Sequence, residues 1–141
     1  MKNILFVLGI FLFNNAVCQI NVNDLGKKTF YEVKSAFSIQ PCEVTDNLIV
    51  TYCVEDGSRL SFLFKNRVLN GIMTMTAFSS QYGAEKVLDF EISKLKSELG
   101  IQPATVNGKT IFNTPESPIF TTFSVEYVNK TFYLVHYISK K

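Results

Sequence analysis

His136 is the one histidine in the chain, and Cys42 and Cys53 are two of its three cysteines. These side chains have the most chemistry to offer: an imidazole moves protons near neutral pH, and a thiolate attacks or binds metal. Neither type stands at a working spacing. No carboxylate or nucleophile accompanies His136 at motif distance, and it sits within the apolar stripe "TFYLVHYIS", which reads as a satisfied, semi-buried histidine. A single histidine and cysteines without a CxxC arrangement do not make a zinc site, and a catalytic redox pair would more typically be CxxC.

The remaining candidates are weaker. Glu43, Asp46, Glu55 and Asp56 fall near expected turns, where a solvated carboxylate is ordinary. Glycines 71, 83, 100 and 108 are scattered, and neither GxGxxG nor GxxxxGK[ST] occurs. Asn129-Lys130-Thr131 matches a glycosylation sequon, which matters only in a eukaryotic secretory pathway, and a turn explains the same residues. The expectation is a protein that is not an enzyme and carries no cofactor or metal.

The chain opens "MKNILFVLGIFLFNNAVCQI". Lys2, the apolar run Ile4 to Phe13 and a following polar, small-residue region form the pattern of a secretory signal peptide over residues 1–18, with cleavage between Cys18 and Gln19. The run is too short to span a bilayer, which takes about 20 apolar residues. Lipidation of Cys18 is the alternative, although Asn15 and Val17 stand where a lipobox has Leu and Gly or Ala. Residues 19–141 then form one domain that is periplasmic or secreted, with no transmembrane anchor after cleavage. Removing residues 1–18 takes Lys2 and no acid, so the net charge falls from +2 to +1. That balance leaves no electrostatic footprint for nucleic acid or an anionic membrane. In an oxidising compartment a Cys42–Cys53 disulfide is permitted. Both cysteines fall in the first half of the domain, as a staple acquired as a pair would.

The elements that must position these residues are written twice. "VKSAFSIQPCEV", 33–44, aligns with "LKSELGIQPATV", 95–106, with identities at Lys34/Lys96, Ser35/Ser97, Ile39/Ile101, Gln40/Gln102, Pro41/Pro103 and Val44/Val106. Upstream of each stretch runs a helical apolar period: Leu25, Phe30, Val33 and Phe37, then Val87, Leu88, Ile92, Leu95 and Leu99. Gly100 suits a helix C-cap, and Pro41 and Pro103 discourage continuation.

Downstream, each half offers three strand-like runs: 47–54, 59–65 and 68–78, then 105–113, 119–128 and 131–139. "VEDGSR", 54–59, signals a hairpin turn at Asp56-Gly57. A matching turn aligns Asn66 with Asn129, and continuing that offset sets His136 over Met73. The expected fold is α+β: two tandem αβββ units, about residues 24–78 and 84–139, forming an antiparallel sheet of about six strands with two helices on one face.

One sheet face then stays open. On the last strand Tyr133, Val135 and Tyr137 point one way, and Phe132, Leu134, His136 and Ile138 the other. The expected function is an exported binding module that uses the open face around Tyr133, Val135 and Tyr137, or a groove between the repeats, to bind another exported or envelope protein. The alternative is a carrier of a small apolar ligand, with a pocket between helices and sheet lined by Phe62, Phe64, Met73 and Met75.

Overall fold

In a computed structural model, residues 20, 22–46 and 48–141 are described. The expected signal peptide and its cleavage point at Cys18/Gln19 lie outside them. The chain forms a helix α1 (Phe30–Ser35), strands β1 (Glu43–Thr45), β2 (Ile49–Cys53), β3 (Arg59–Lys65) and β4 (Val68–Phe78), a helix α2 (Gln81–Leu99), and strands β5 (Ala104–Val106), β6 (Lys109–Phe112), β7 (Ile119–Val128) and β8 (Thr131–Lys140). A short 3-10 turn at Val22–Asp24 precedes them.

All eight strands join one antiparallel sheet in the order β1-β2-β3-β4-β8-β7-β6-β5. Each half contributes a helix followed by four strands, and β4 and β8 meet at the centre. The class is therefore α+β as expected, with eight strands in place of six and four per half in place of three. The shortfall has a local cause. Run 105–113 is not one strand, because Asn107 and Gly108 both adopt left-handed φ (50° and 75°) and make a two-residue hairpin turn between β5 and β6. In the first half, β1 is a separate three-residue strand paired to β2 through Val44 and Val50. Both added strands are the sheet's edges, short and exposed along their length, which limits pairing with other chains.

The turns follow from residue type. Asn66 and Arg67 (φ 53° and 67°) close β3 onto β4, and Asn129 and Lys130 (φ 50° and 66°) close β7 onto β8. Asparagine tolerates this region because its short polar side chain satisfies the local backbone. Asp56 closes the β2–β3 loop by accepting the Ser58 N–H at 2.7 Å.

Helix α1 begins with a reciprocal cap: Glu32 N–H donates to Thr29 Oγ1, and Thr29 N–H donates to Glu32 Oε2 at 2.7 Å. It is six residues long, so Leu25 and Phe37 flank the helix and pack beside it instead of extending it. Helix α2 starts at Ser80, whose Oγ accepts the Gly83 N–H, and ends at Gly100 with φ 65°.

Register assigns the faces. Val50 and Tyr52 of β2, Leu60, Phe62 and Phe64 of β3, Ile72 of β4 and Ile138 of β8 share one side of the sheet. They pack with Phe30, Val33 and Phe37 into the larger core cluster. Phe112 and Phe123 share that side and pack beneath Leu95, Leu88 and Ile92 of α2. Both helices thus cover one face, as expected.

A bulge in β4 corrects the alignment of the halves. Phe64 pairs with Leu69 but Leu63 pairs with Gly71, leaving Asn70 outside the β3–β4 ladder. β8 has no counterpart of this extra residue against β7. Beyond the bulge the offset therefore drops by one, and His136 corresponds to Thr74 in place of Met73. The face test agrees, since Thr74 and His136 are direct cross-strand partners on the helix side, while Met73 lies on the other.

Candidate functional site

Alternation in β4 and β8 places the second face's central residues in three facing pairs: Met73 with Tyr137, Met75 with Val135, and Ala77 with Tyr133. Tyr133, Val135 and Tyr137 share one face, and neither helix packs there. The surface is apolar at its centre. Leu63 of β3 flanks Met73's side, and Phe120 of β7 meets the Tyr137 ring edge-on with centroids 6.1 Å apart.

Polar residues ring this patch. Thr51 and Ser61, both buried, share a hydroxyl hydrogen bond of 2.9 Å on the β2–β3 side. Across β8, Ser124 Oγ donates to Glu126 Oε1 at 3.1 Å, and Lys109 approaches the same carboxylate at 3.9 Å. An exposed pair of that kind contributes about 0–1 kcal/mol, so it marks a rim and not an anchor.

The three residues are not equally available. Tyr133 and Val135 are 7 % and 8 % exposed, whereas Tyr137, Met73 and Met75 are half-buried. Tyr133 is overlapped by the β2–β3 loop: a side chain added at Gly57 would come within 3.7 Å of its hydroxyl. The loop is tied down at its end, where Ser58, fully buried, accepts the Ala77 N–H at 2.9 Å. The accessible part of the patch is thus Tyr137, Met73, Met75 and Phe120.

Tyr137 owes its position to Gly71. A Cβ on Gly71 would lie 2.7 Å from the ring's Cε2 and 2.8 Å from its hydroxyl oxygen, so the ring occupies space that any other residue would fill. A glycine inside a strand commonly marks such close approach. That signal was present in "NGIMTM", and it points to the residue the reading of scattered glycines passed over.

Phe62, Phe64, Met73 and Met75 do not line one cavity. Phe62 and Phe64 are 1 % and 6 % exposed beneath α1, while both methionines stand on the opposite face. Successive strand residues alternate sides, and the expected pocket drew on both.

His136 also belongs to the helix side. It is buried, stacked on the Phe123 ring (centroids 4.3 Å, planes 5° apart), and its Nε2 hydrogen-bonds Thr121 Oγ1 at 2.8 Å. Thr121's hydroxyl also lies 3.2 Å from the Tyr137 carbonyl, to which it donates. Desolvation pushes the imidazole pKa down to about 4, so it is neutral near pH 7. Among the described residues no three His, Cys, Asp or Glu side chains gather as a metal site.

Cys42 and Cys53 are joined by a disulfide, with Cα atoms 5.9 Å apart. It holds the segment entering β1 against the end of β2, beside the backbone bond from Cys42 N–H to Thr51 O. Among the described residues no helix is long and apolar enough to cross a membrane. No family model matches the chain, and no curated protein or solved structure shows significant similarity to it.

Proposed function

We propose that the chain is an exported, non-enzymatic interaction module whose helix-free sheet face binds another exported or envelope protein. The observation that carries this reading is the half-buried group Tyr137, Met73, Met75 and Phe120, bordered by the exposed Lys109–Glu126 pair and covered by neither helix. Aromatic and methionine side chains with a polar rim are the composition of a protein-binding patch. The Cys42–Cys53 disulfide suits an oxidising compartment, and the N-terminal pattern supplies the route there.

The two halves are read as repeats of one αββββ unit. Matching text at 33–44 and 95–106, paired asparagine turns at Asn66 and Asn129, and a shared element order support this.

The test is partner recovery from the host's own envelope or medium by the intact protein and by Tyr137→Ala and Met75→Ala variants. Loss of one discrete partner in both variants, with folding retained, supports the reading. Unchanged recovery removes this face from the account.

A further inference from the structure

The near-neutral net charge conceals an uneven distribution along the strand axis. Where β3 turns into β4, Lys65 and Arg67 are exposed at the hairpin tip. The segment before α1 runs alongside the same tip: Gly26 N–H donates to Leu69 O, Leu69 N–H donates to Lys28 O, and Thr29 bridges Val68. This brings Lys27 and Lys28 to the tip. Lys140, at the end of β8, joins them, its Nζ lying 2.7 Å from where a Cβ on Gly26 would stand.

Four carboxylates at this end, Asp24, Glu32, Asp46 and Glu116, offset part of this charge and leave it net basic. The Glu32 carboxylate accepts hydrogen bonds from Thr29, which with nearby Lys28 hold it in its charged form, while Asp46 and Glu116 are exposed on flanking loops. Asp24 is the one other carboxylate close by in the chain. None of the cations makes an ion pair with a carboxylate among the described residues; the pair formed there, Lys109 with Glu126, is at the opposite end. That far end is closer to balance, with Glu55, Asp56 and Glu126 beside Arg59, Lys109 and Lys130.

Two large apolar side chains stand among the cations. Tyr31, the second residue of α1, is 75 % exposed, and Leu48 is 52 % exposed beside β3, where its carbonyl accepts the Phe64 N–H. Lysine and arginine interspersed with exposed tyrosine and leucine at one end of the sheet is the composition of a surface that rests in lipid headgroups. A groove for a nucleic-acid strand would track the cations along a channel.

We propose that this basic end docks on an anionic lipid headgroup layer, the cations pairing with phosphates while Tyr31 and Leu48 enter the interface. Strands then stand upright on the membrane, and the open sheet face is presented sideways to a partner. The docking stands independently of what that face binds.

The test is co-sedimentation of the full chain with vesicles of phosphatidylcholine alone and of phosphatidylcholine with phosphatidylglycerol. Since each cation near such a surface contributes about 1 kcal/mol, binding to the anionic vesicles should be at least about 10-fold tighter at low salt. The difference should collapse in Lys27→Glu/Lys28→Glu/Arg67→Glu and narrow sharply in the milder Lys27→Gln/Lys28→Gln/Arg67→Gln, with circular dichroism unchanged. Leu48→Ala should weaken binding to the anionic vesicles. Equal binding to both vesicle types, or full binding by the charge-reversed chain, overturns the proposal. So does a DNA duplex that binds more tightly than the anionic vesicles at the same ionic strength.

Discussion

Tyr137 lies across Gly71, its ring filling the space where a Cβ would stand 2.7 Å from Cε2. The contact spans the β4–β8 seam and sets the height of the open face's principal aromatic. Gly71→Ala should therefore displace the ring and cost on the order of 1–3 kcal/mol, measured by urea unfolding. In Gly71→Ala/Tyr137→Ala the cost should be less than the sum of the single changes by at least about 0.5 kcal/mol, because the clash is gone. Strict additivity would show that the contact carries no strain.

Stability should depend on pH through His136. Its folded pKa is lowered to about 4 by burial, below the ordinary value of 6.5, so the unfolded chain binds the proton more readily. The contribution is complete above about pH 6.5 and is lost progressively as pH falls towards 4, a total on the order of 3 kcal/mol. Urea midpoints measured from pH 7.5 to 4 should fall through this window. His136→Gln should flatten that part of the profile, and an unchanged profile would assign the slope elsewhere.

Reduction of the disulfide should loosen one edge and leave the centre intact. Cys42 and Cys53 are 11 residues apart in sequence, so Cys42→Ser/Cys53→Ser should lose about 2–3 kcal/mol. Amide exchange should quicken most in β1 and in β2 around Thr51, whose carbonyl accepts the Cys42 N–H. Protection in β4 and β8 should change only by the global loss.

Much of this architecture was legible because its signals are local. Strands β3 and β7 follow from period-2 alternation, and Gly100 and the Asn129 turn follow from residues that tolerate left-handed backbone. Two things escaped for physical reasons. Asn107-Gly108 is a strong hairpin signal, but it sits between Thr105-Val106 and Thr110-Ile111-Phe112, strand-forming residues that read as one continuous strand. The bulge at Asn70 leaves no mark in hydropathy, yet it moves every later β4 residue by one place relative to β8.

The candidate site was legible only in part. The shared side of Tyr133, Val135 and Tyr137 follows from strand geometry alone. Their unequal exposure depends on the β2–β3 loop folding over Tyr133, a tertiary contact no single strand encodes. The same limit produced the mixed pocket, since the sides of β3 and β4 are related only through their pairing.

The central claim is that the helix-free sheet face docks a protein. It is tested most directly by a photo-crosslinking amino acid placed in the host-expressed chain at Met75, and in a control at Phe90, exposed on α2. The account predicts one discrete protein adduct from position 75, abolished by Tyr137→Ala, and none from position 90. The same adduct from both positions, or none from position 75 while the folded protein is present, would contradict it.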